Sequence, residues 1–160
     1  MTRVFVALGG NLGDAQATLR QALDALGSLP RTRLVAHSRI YRTPPWGLRE
    51  QPPFFNAAAE LDTGLGPHEL LDALLQIERA AGRVRDGERW GPRTLDLDLL
   101  HMDGAMLSDQ RLTLPHPRIA QRAFVLLPLA ELAPDLEVPG QGRVVDLLAA
   151  ADATGCEALP

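Results

Sequence analysis

The stretch RWGPRTLDLDLL, residues 89–100, decides the fold, because it joins an arginine-rich loop to a segment with strand periodicity. Residues 95–99 alternate between leucine and aspartate, and a period of two residues is that of a β-strand. The leucines would point into a core, whereas Asp96 and Asp98 would share the opposite face. The stretch therefore predicts a half-buried strand that presents two carboxylates side by side.

The two carboxylates raise the question of a bound cation. Their Cα atoms would lie about 6.6 Å apart, which is two strand rises. At a separation of about 5 Å and an effective dielectric near 20, they would repel each other by roughly 3 kcal/mol. Mg²⁺ is a hard ion that takes one or two carboxylates together with phosphate oxygens, so it suits this pair. The alternative is a solvated strand face, for which the LDLDL pattern needs no ligand.

The loop before the strand, residues 82–93, favours the first interpretation. It contains three glycines, one proline, Trp90 and four arginines, namely Arg83, Arg85, Arg89 and Arg93. Guanidinium groups bind phosphate oxygens in a bidentate manner, and glycines let a loop fold over a ligand. The alternative is an exposed loop of mixed charge. The loop and the aspartates together favour a site for a polyphosphate and a metal ion.

The composition restricts the remaining chemistry. The 160 residues suggest one domain, and a formal net charge of −4 argues against bulk binding to nucleic acid or acidic membranes. All 16 basic residues are arginine, so a P-loop lysine and a lysine Schiff base are excluded. The sequence has one cysteine, Cys156, and shows neither a signal peptide nor a long apolar run. We expect a cytoplasmic monomer with no membrane or nucleic-acid partner.

The order of predicted elements indicates the architecture. Strands are predicted at 3–8, 33–42, 54–62 and 94–100, and helices at 14–27 and 67–82. The order β-α-β-β-α-β predicts a ferredoxin-like α/β (α+β) fold, with both helices on one face of an antiparallel sheet and the other face open. Residues 103–160 would form a C-terminal extension with a hairpin near 104–113, short helical pieces after Pro117 and a last helix near 143–151.

The open face would gather Phe54, Asn56, Asp96 and Asp98. A planar heterocycle could stack on aromatic rings there, while Asn56 reads its hydrogen-bonding edge. Phe55, which has the opposite parity, would point toward the helices. Downstream, His116 lies between two prolines and could bind a phosphate, although a surface histidine without a ligand is the alternative.

Four motifs together resemble one known family, that of 6-hydroxymethyl-7,8-dihydropterin pyrophosphokinase in folate biosynthesis. They are YRTPPWG (41–47), FFNAA (54–58), GRVR…RWGPRTLDLDLL (82–100) and LPHPR…RAFVLLPLAELAP (114–134). The resemblance runs from about Arg3 to about Leu148. It implies a ferredoxin-like fold, ATP as co-substrate, two Mg²⁺ ions, and transfer of the β,γ-diphosphate to the hydroxymethyl group of the pterin with release of AMP.

The resemblance also implies roles for individual residues. Asp96 and Asp98 would hold the metal ions, with Asp96 also near the pterin, and Arg83 and Arg93 would be catalytic. The residues that it implies for ATP binding are Glu78, Arg85, Arg89, Trp90, Arg93, Leu99, Arg111, Thr113, His116 and Arg122. Those that it implies for the pterin are Thr43, Pro44, Trp46, Phe54, Asn56 and Phe124.

Two other function classes remain open at this point. A γ-phosphate kinase acting on a small heterocyclic alcohol could use the same metal site and would release ADP. An RNA-binding module is the other alternative, because open ferredoxin-like sheets with exposed aromatic residues stack bases. The acidic residues predicted on that face, Glu60 and Asp62 as well as the two aspartates, argue against RNA.

Overall fold

An antiparallel sheet with β4 and β1 as its inner strands forms the frame of the molecule. The computed structural model describes residues 1–45, 50–82 and 94–160. Its first elements are β1 (Thr2–Gly10), α1 (Ala15–Gly27), β2 (Thr32–His37), β3 (Tyr41–Thr43), β4 (Phe54–Thr63), α2 (Pro67–Ala80) and β5 (Asp96–Met102). β1 lies between β4 and β5, and the other edge of β4 pairs with both β2 and β3. This confirms the predicted ferredoxin-like order.

One face of the sheet packs against α1 and α2, as the periodicity predicts. Asp14 caps α1 by accepting a 3.1 Å hydrogen bond from the backbone N–H of Ala17. Pro67 occupies the first turn of α2, where its missing N–H costs nothing. The residues buried between these helices and the sheet include Val4, Val6, Leu8, Leu19, Leu26, Leu61, Leu70, Leu74, Leu97 and Leu99.

The strand predicted at 33–42 is two strands, and this prediction was wrong at Ser38–Ile40. At the break, the side chain of Ser38 forms hydrogen bonds that backbone groups form in a regular strand. Its Oγ accepts from the N–H of Ala58 at 2.9 Å and donates to the carbonyl of Arg39 at 2.7 Å. A serine hydroxyl can compete with backbone acceptors in this way. The pairing shifts from His37 opposite Ala59 to Tyr41 opposite Asn56, so the chain gains one residue across the break.

The C-terminal extension covers much of the second face, which the sequence predicted to be open. It contains β6 (Leu107–Ser108), β7 (Thr113–Leu114), a 3₁₀ turn (Ile119–Gln121), α3 (Ala123–Leu132), β8 (Glu137–Val138), β9 (Gly142–Arg143), α4 (Val144–Ala150) and β10 (Glu157–Ala158). The predicted hairpin is the β6–β7 pair, and the predicted last helix is α4. α3 and α4 form a second core with Phe5, Ala7 and Leu100 of the sheet. The prediction of an open face was wrong because the mean hydropathy of α3 indicates that the helix is buried but does not indicate which surface it packs against.

Within the part of the chain that the structure describes, no helix has the length and apolar character needed to cross a membrane.

Candidate active site

The register of β1 brings the predicted polar residues onto one face of the sheet. Gly9 pairs with Asn56 of β4 on one side and with Asp96 of β5 on the other. Two residues back along β1, Ala7 lies opposite Asp98. Residues that pair directly across an antiparallel sheet have the same facing. Asn56, Asp96 and Asp98 therefore lie on the same face of the sheet as Ala7 and the second core.

A close approach between Gly9 and Asn56 shapes the centre of this face. A Cβ atom built on Gly9 would lie 2.6 Å from Oδ1 of Asn56, so any residue other than glycine would force the Asn56 side chain or its strand to move. The Nδ2 of Asn56 donates a 2.7 Å hydrogen bond to Oγ1 of Thr43. Both residues are buried, with 7% exposure for Asn56 and 2% for Thr43. The amide is thus held in one orientation, as recognition of a heterocycle edge requires.

The aspartates of β5 have a cationic neighbour from the extension. Nη1 of Arg122 lies 3.9 Å from Oδ2 of Asp98, and the Arg122 guanidinium carbon lies 5.6 Å from the centre of the Phe124 ring. Among residues 1–45, 50–82 and 94–160, no cluster of three or more His, Cys, Asp or Glu side chains is able to hold a metal. A pair of carboxylates on one strand fits an ion that completes its shell with phosphate oxygens and water, as Mg²⁺ does.

His116 is fixed next to the same carboxylates by its backbone and one ring nitrogen. Its N–H donates to the carbonyl of Leu100 at 2.8 Å, and its Nδ1 accepts from the N–H of Arg118 at 3.1 Å. Burial, followed by the charges of Arg122 and Arg118, lowers the pKa of His116 to about 4, and Asp96 opposes this. The ring is therefore neutral at pH 7. Because Nδ1 accepts, Nε2 carries the proton and remains a donor.

Glu78 is the site residue whose surroundings the sequence least anticipated. Its side chain is only 1% exposed, and Oε2 accepts a 2.7 Å hydrogen bond from the backbone N–H of Leu97. The structure thus places this α2 carboxylate against β5, the strand that carries Asp96 and Asp98. The signal was present, since Glu78 follows Leu74 by four residues and Leu70 by eight, on the buried stripe of the helix.

The other residues predicted for ATP lie in different settings. Arg111 forms an ion pair with Asp72 of α2. Thr113 is the first residue of β7. The side chain of Leu99 belongs to the core under α1 and α2, so only its backbone is available to a nucleotide. Four of the residues predicted for ATP lie outside the described residues, namely Arg85, Arg89, Trp90 and Arg93, as does Arg83, which was predicted to be catalytic.

The residues predicted for the pterin are divided between β3, β4 and α3. Thr43 pairs with Phe54 across β3 and β4, and Pro44 follows directly and is exposed. Phe54 and Phe124 are both half-buried, so each retains some accessible ring surface. Trp46 lies outside the described residues.

Comparison with known proteins gives concordant results. The family model described as 7,8-dihydro-6-hydroxymethylpterin-pyrophosphokinase (HPPK) matches residues 5–134. The chain is 52% identical over 157 residues to the 2-amino-4-hydroxy-6-hydroxymethyldihydropteridine pyrophosphokinase of Methylorubrum extorquens, covering 98% of each chain. It is also 52% identical over 158 residues to the Pseudomonas aeruginosa protein of the same name, covering 99% of this chain and 97% of the relative.

A solved structure agrees with the fold. A triple mutant of Plasmodium falciparum HPPK-DHPS superposes with a TM-score of 0.75 at 12% sequence identity. The match covers 93% of this chain but 43% of that longer one. At this identity the likeness concerns the fold alone.

Proposed function

This chain belongs to the 7,8-dihydro-6-hydroxymethylpterin-pyrophosphokinase family, and we propose that it transfers diphosphate from ATP to the pterin on the face formed by Gly9, Asn56, Asp96 and Asp98. The observation that carries the assignment is the strand register, which sets the amide of Asn56 and the carboxylate of Asp96 on either side of Gly9. An amide that reads a heterocycle and a carboxylate that binds a metal are thereby adjacent. This is the arrangement that a transfer from nucleotide to pterin needs.

In this proposal, Asp96 and Asp98 hold two Mg²⁺ ions, and Asp96 also approaches the pterin. When bound, the ions would neutralise phosphate charge and lower the pKa of the hydroxymethyl group. The two carboxylates present their oxygen atoms on one face of the strand. The N–H of Leu97, the residue between them, donates a hydrogen bond to Glu78. We therefore assign Glu78 to positioning the metal-binding strand as well as to the nucleotide site.

The pterin would bind against Asn56, with its plane between the rings of Phe54 and Phe124. Thr43 contributes by fixing the Asn56 amide through the 2.7 Å hydrogen bond. Pro44 and Trp46 would form the wall next to β3. Stacking between aromatic faces suits a planar bicyclic ring, and the amide supplies the directional hydrogen bonds.

The nucleotide tail would lie along His116 and Arg122. His116, as a neutral imidazole, can donate a hydrogen bond from Nε2 to a phosphate oxygen. Arg122 supplies a guanidinium group near Asp98 that can bind a phosphate. Arg83 and Arg93 are assigned the catalytic role of stabilising the transferred phosphates. The further proposed ATP contacts are Arg85, Arg89, Trp90, Leu99, Arg111 and Thr113. Because transfer depends mainly on positioning and charge, no dedicated side-chain base is needed.

We also propose that residues 1–160 form a single pyrophosphokinase domain that works as a cytoplasmic monomer. Light scattering after size exclusion tests the monomer, which a dimer mass would contradict.

The reaction itself is tested by its nucleotide product. The protein is incubated with ATP, Mg²⁺ and 6-hydroxymethyl-7,8-dihydropterin, and the nucleotides are separated by chromatography. AMP that forms only when the pterin is present is the expected result, and Asp98→Asn should remain folded while losing it. ADP as the product would instead identify a γ-phosphate kinase.

A further inference from the structure

The C-terminal segment from Asp152 to Leu159, here called the strap, lies along β3. β10 within the strap pairs antiparallel with β3, with Glu157 opposite Arg42 and Ala158 opposite Tyr41. The N–H of Leu159 donates to the carbonyl of Ile40 at 2.9 Å, and Arg42 forms an ion pair with Glu157. β3 consequently has a hydrogen-bonded neighbour on both sides, although it is only three residues long.

The turn that leads into β10 approaches Pro44 so closely that it leaves no room for a side chain at Gly155. Gly155 has φ of +82°, and a Cβ atom built on it would lie 2.9 Å from Cγ of Pro44. Cγ belongs to a proline ring, which cannot rotate away as a flexible side chain would. The turn is itself fixed, since Thr154 donates from its N–H and hydroxyl to Asp152, and Cys156 donates to the carbonyl of Ala153. The strap therefore places a hydrogen-bonded turn close to the ring of Pro44.

We propose that the strap positions the wall of the pterin site, an inference that rests on the function proposed above. Pro44 follows Thr43, whose Oγ1 fixes the amide of Asn56. Without β10, β3 would be a three-residue edge strand paired with β4 on one side, and short edge segments open readily. The strap lies beyond residues 5–134, the part of the chain that the family model matches.

Substitution of Gly155 by alanine tests this proposal, with Gly104→Ala as the matched control. Gly104 has a comparable φ of +76°, but nothing lies within 4 Å of its Cβ position. Both variants therefore impose the same backbone strain, and only Gly155→Ala adds a collision with Pro44. We expect Gly155→Ala to raise the KM for the pterin roughly five- to tenfold, since small displacements of binding groups are costly. The KM for ATP should stay within about twofold, and Gly104→Ala should leave both KM values unchanged within that margin.

The outcomes separate a positioning role from a merely structural one. A lower melting temperature for Gly155→Ala with an unchanged ratio of the two KM values would overturn the proposal. Deletion of residues 157–160, which removes the β10 pairing without touching Gly155, should raise the pterin KM in the same selective way, and an unchanged pterin KM in this variant would also count against it.

A double variant tests the contact between the two residues. If the collision is the cause, Gly155→Ala should add little to the pterin KM in a Pro44→Ala background; full additivity would contradict the direct contact. If the wild-type protein makes no AMP at all, the proposed function fails. If it makes AMP and the strap variants bind pterin normally, only the strap proposal fails.

Discussion

The carboxylate of Glu78 accepts a 2.7 Å hydrogen bond from the backbone N–H of Leu97, the residue between the two aspartates of β5. β5 pairs with β1 along one edge, and Glu78 reaches this N–H from α2. The bond satisfies a backbone donor in a buried setting, where an unpaired N–H would be costly. α2 thus fixes the strand segment whose two side chains are assigned to the metal ions.

Replacing Glu78 by leucine should therefore weaken both the fold and the metal site. The N–H of Leu97 would be left buried without its acceptor, which costs about 1–3 kcal/mol of unfolding free energy. The Mg²⁺ concentration that gives half-maximal activity should rise. Glu78→Gln is the matched control, because its amide oxygen can still accept. Urea unfolding and a Mg²⁺ titration of AMP formation check this, and equal values for the two variants would contradict the role given to the hydrogen bond.

Gly9→Ala should disturb the pterin site selectively. The new methyl group would meet Oδ1 of Asn56 at 2.6 Å, so Asn56 or its strand must move. The KM for the pterin should increase by about tenfold or more, because the displaced amide is the group assigned to read the ring. Gly27→Ala is the control, since its Cβ would lie at an ordinary 3.5 Å from Leu34. Identical pterin KM values in both variants would remove Asn56 from the proposed site.

The lowered pKa of His116 predicts a pH dependence of stability. The folded pKa of about 4 lies below the ordinary value of 6.5, so the unfolded chain binds more protons between these values. Stability due to neutral His116 is complete above pH 6.5 and is lost as the pH falls toward 4, by about 3 kcal/mol in total. His116→Asn should lose less unfolding free energy than the wild type over this range.

Urea unfolding of both proteins at several pH values measures the difference between their free energies of unfolding. The contributions of carboxylates that both proteins contain cancel in this difference. Parallel pH curves for wild type and His116→Asn would show that the histidine is not held neutral by the fold.

Sequence periodicity predicted the elements that depend on local contacts. The alternation of 95–99 placed Asp96 and Asp98 on one face, and the spacing of leucines placed α1 and α2, because both patterns record which side of an element is buried. The fold around the site followed from these. The shared face of Asn56 and Asp96 followed as well, since parity along a strand fixes facing once the pairing is known.

The features that the sequence did not predict depend on contacts between distant segments. The break at Ser38 arises from a hydroxyl that accepts from the N–H of Ala58 on β4, and the partner of the buried Glu78 carboxylate is an N–H on β5, 19 residues away. β10 is two residues long, too short for a periodic signal. α3 packs on the second face of the sheet through tertiary contacts, which hydropathy alone does not specify.

The central claim is that the carboxylates of Asp96 and Asp98 hold the metal ions that bind the nucleotide tail. Its most direct test is a titration with Mn²⁺, a paramagnetic substitute for Mg²⁺, in the presence of a non-hydrolysable ATP analogue. Bound ion is followed by electron paramagnetic resonance for the wild type, Asp98→Asn and the control Asp62→Asn, whose carboxylate lies farther along β4. We predict tight binding to the wild type and to the control, and at least about tenfold weaker binding to Asp98→Asn. Equal Mn²⁺ affinity in Asp98→Asn and the wild type would contradict the account.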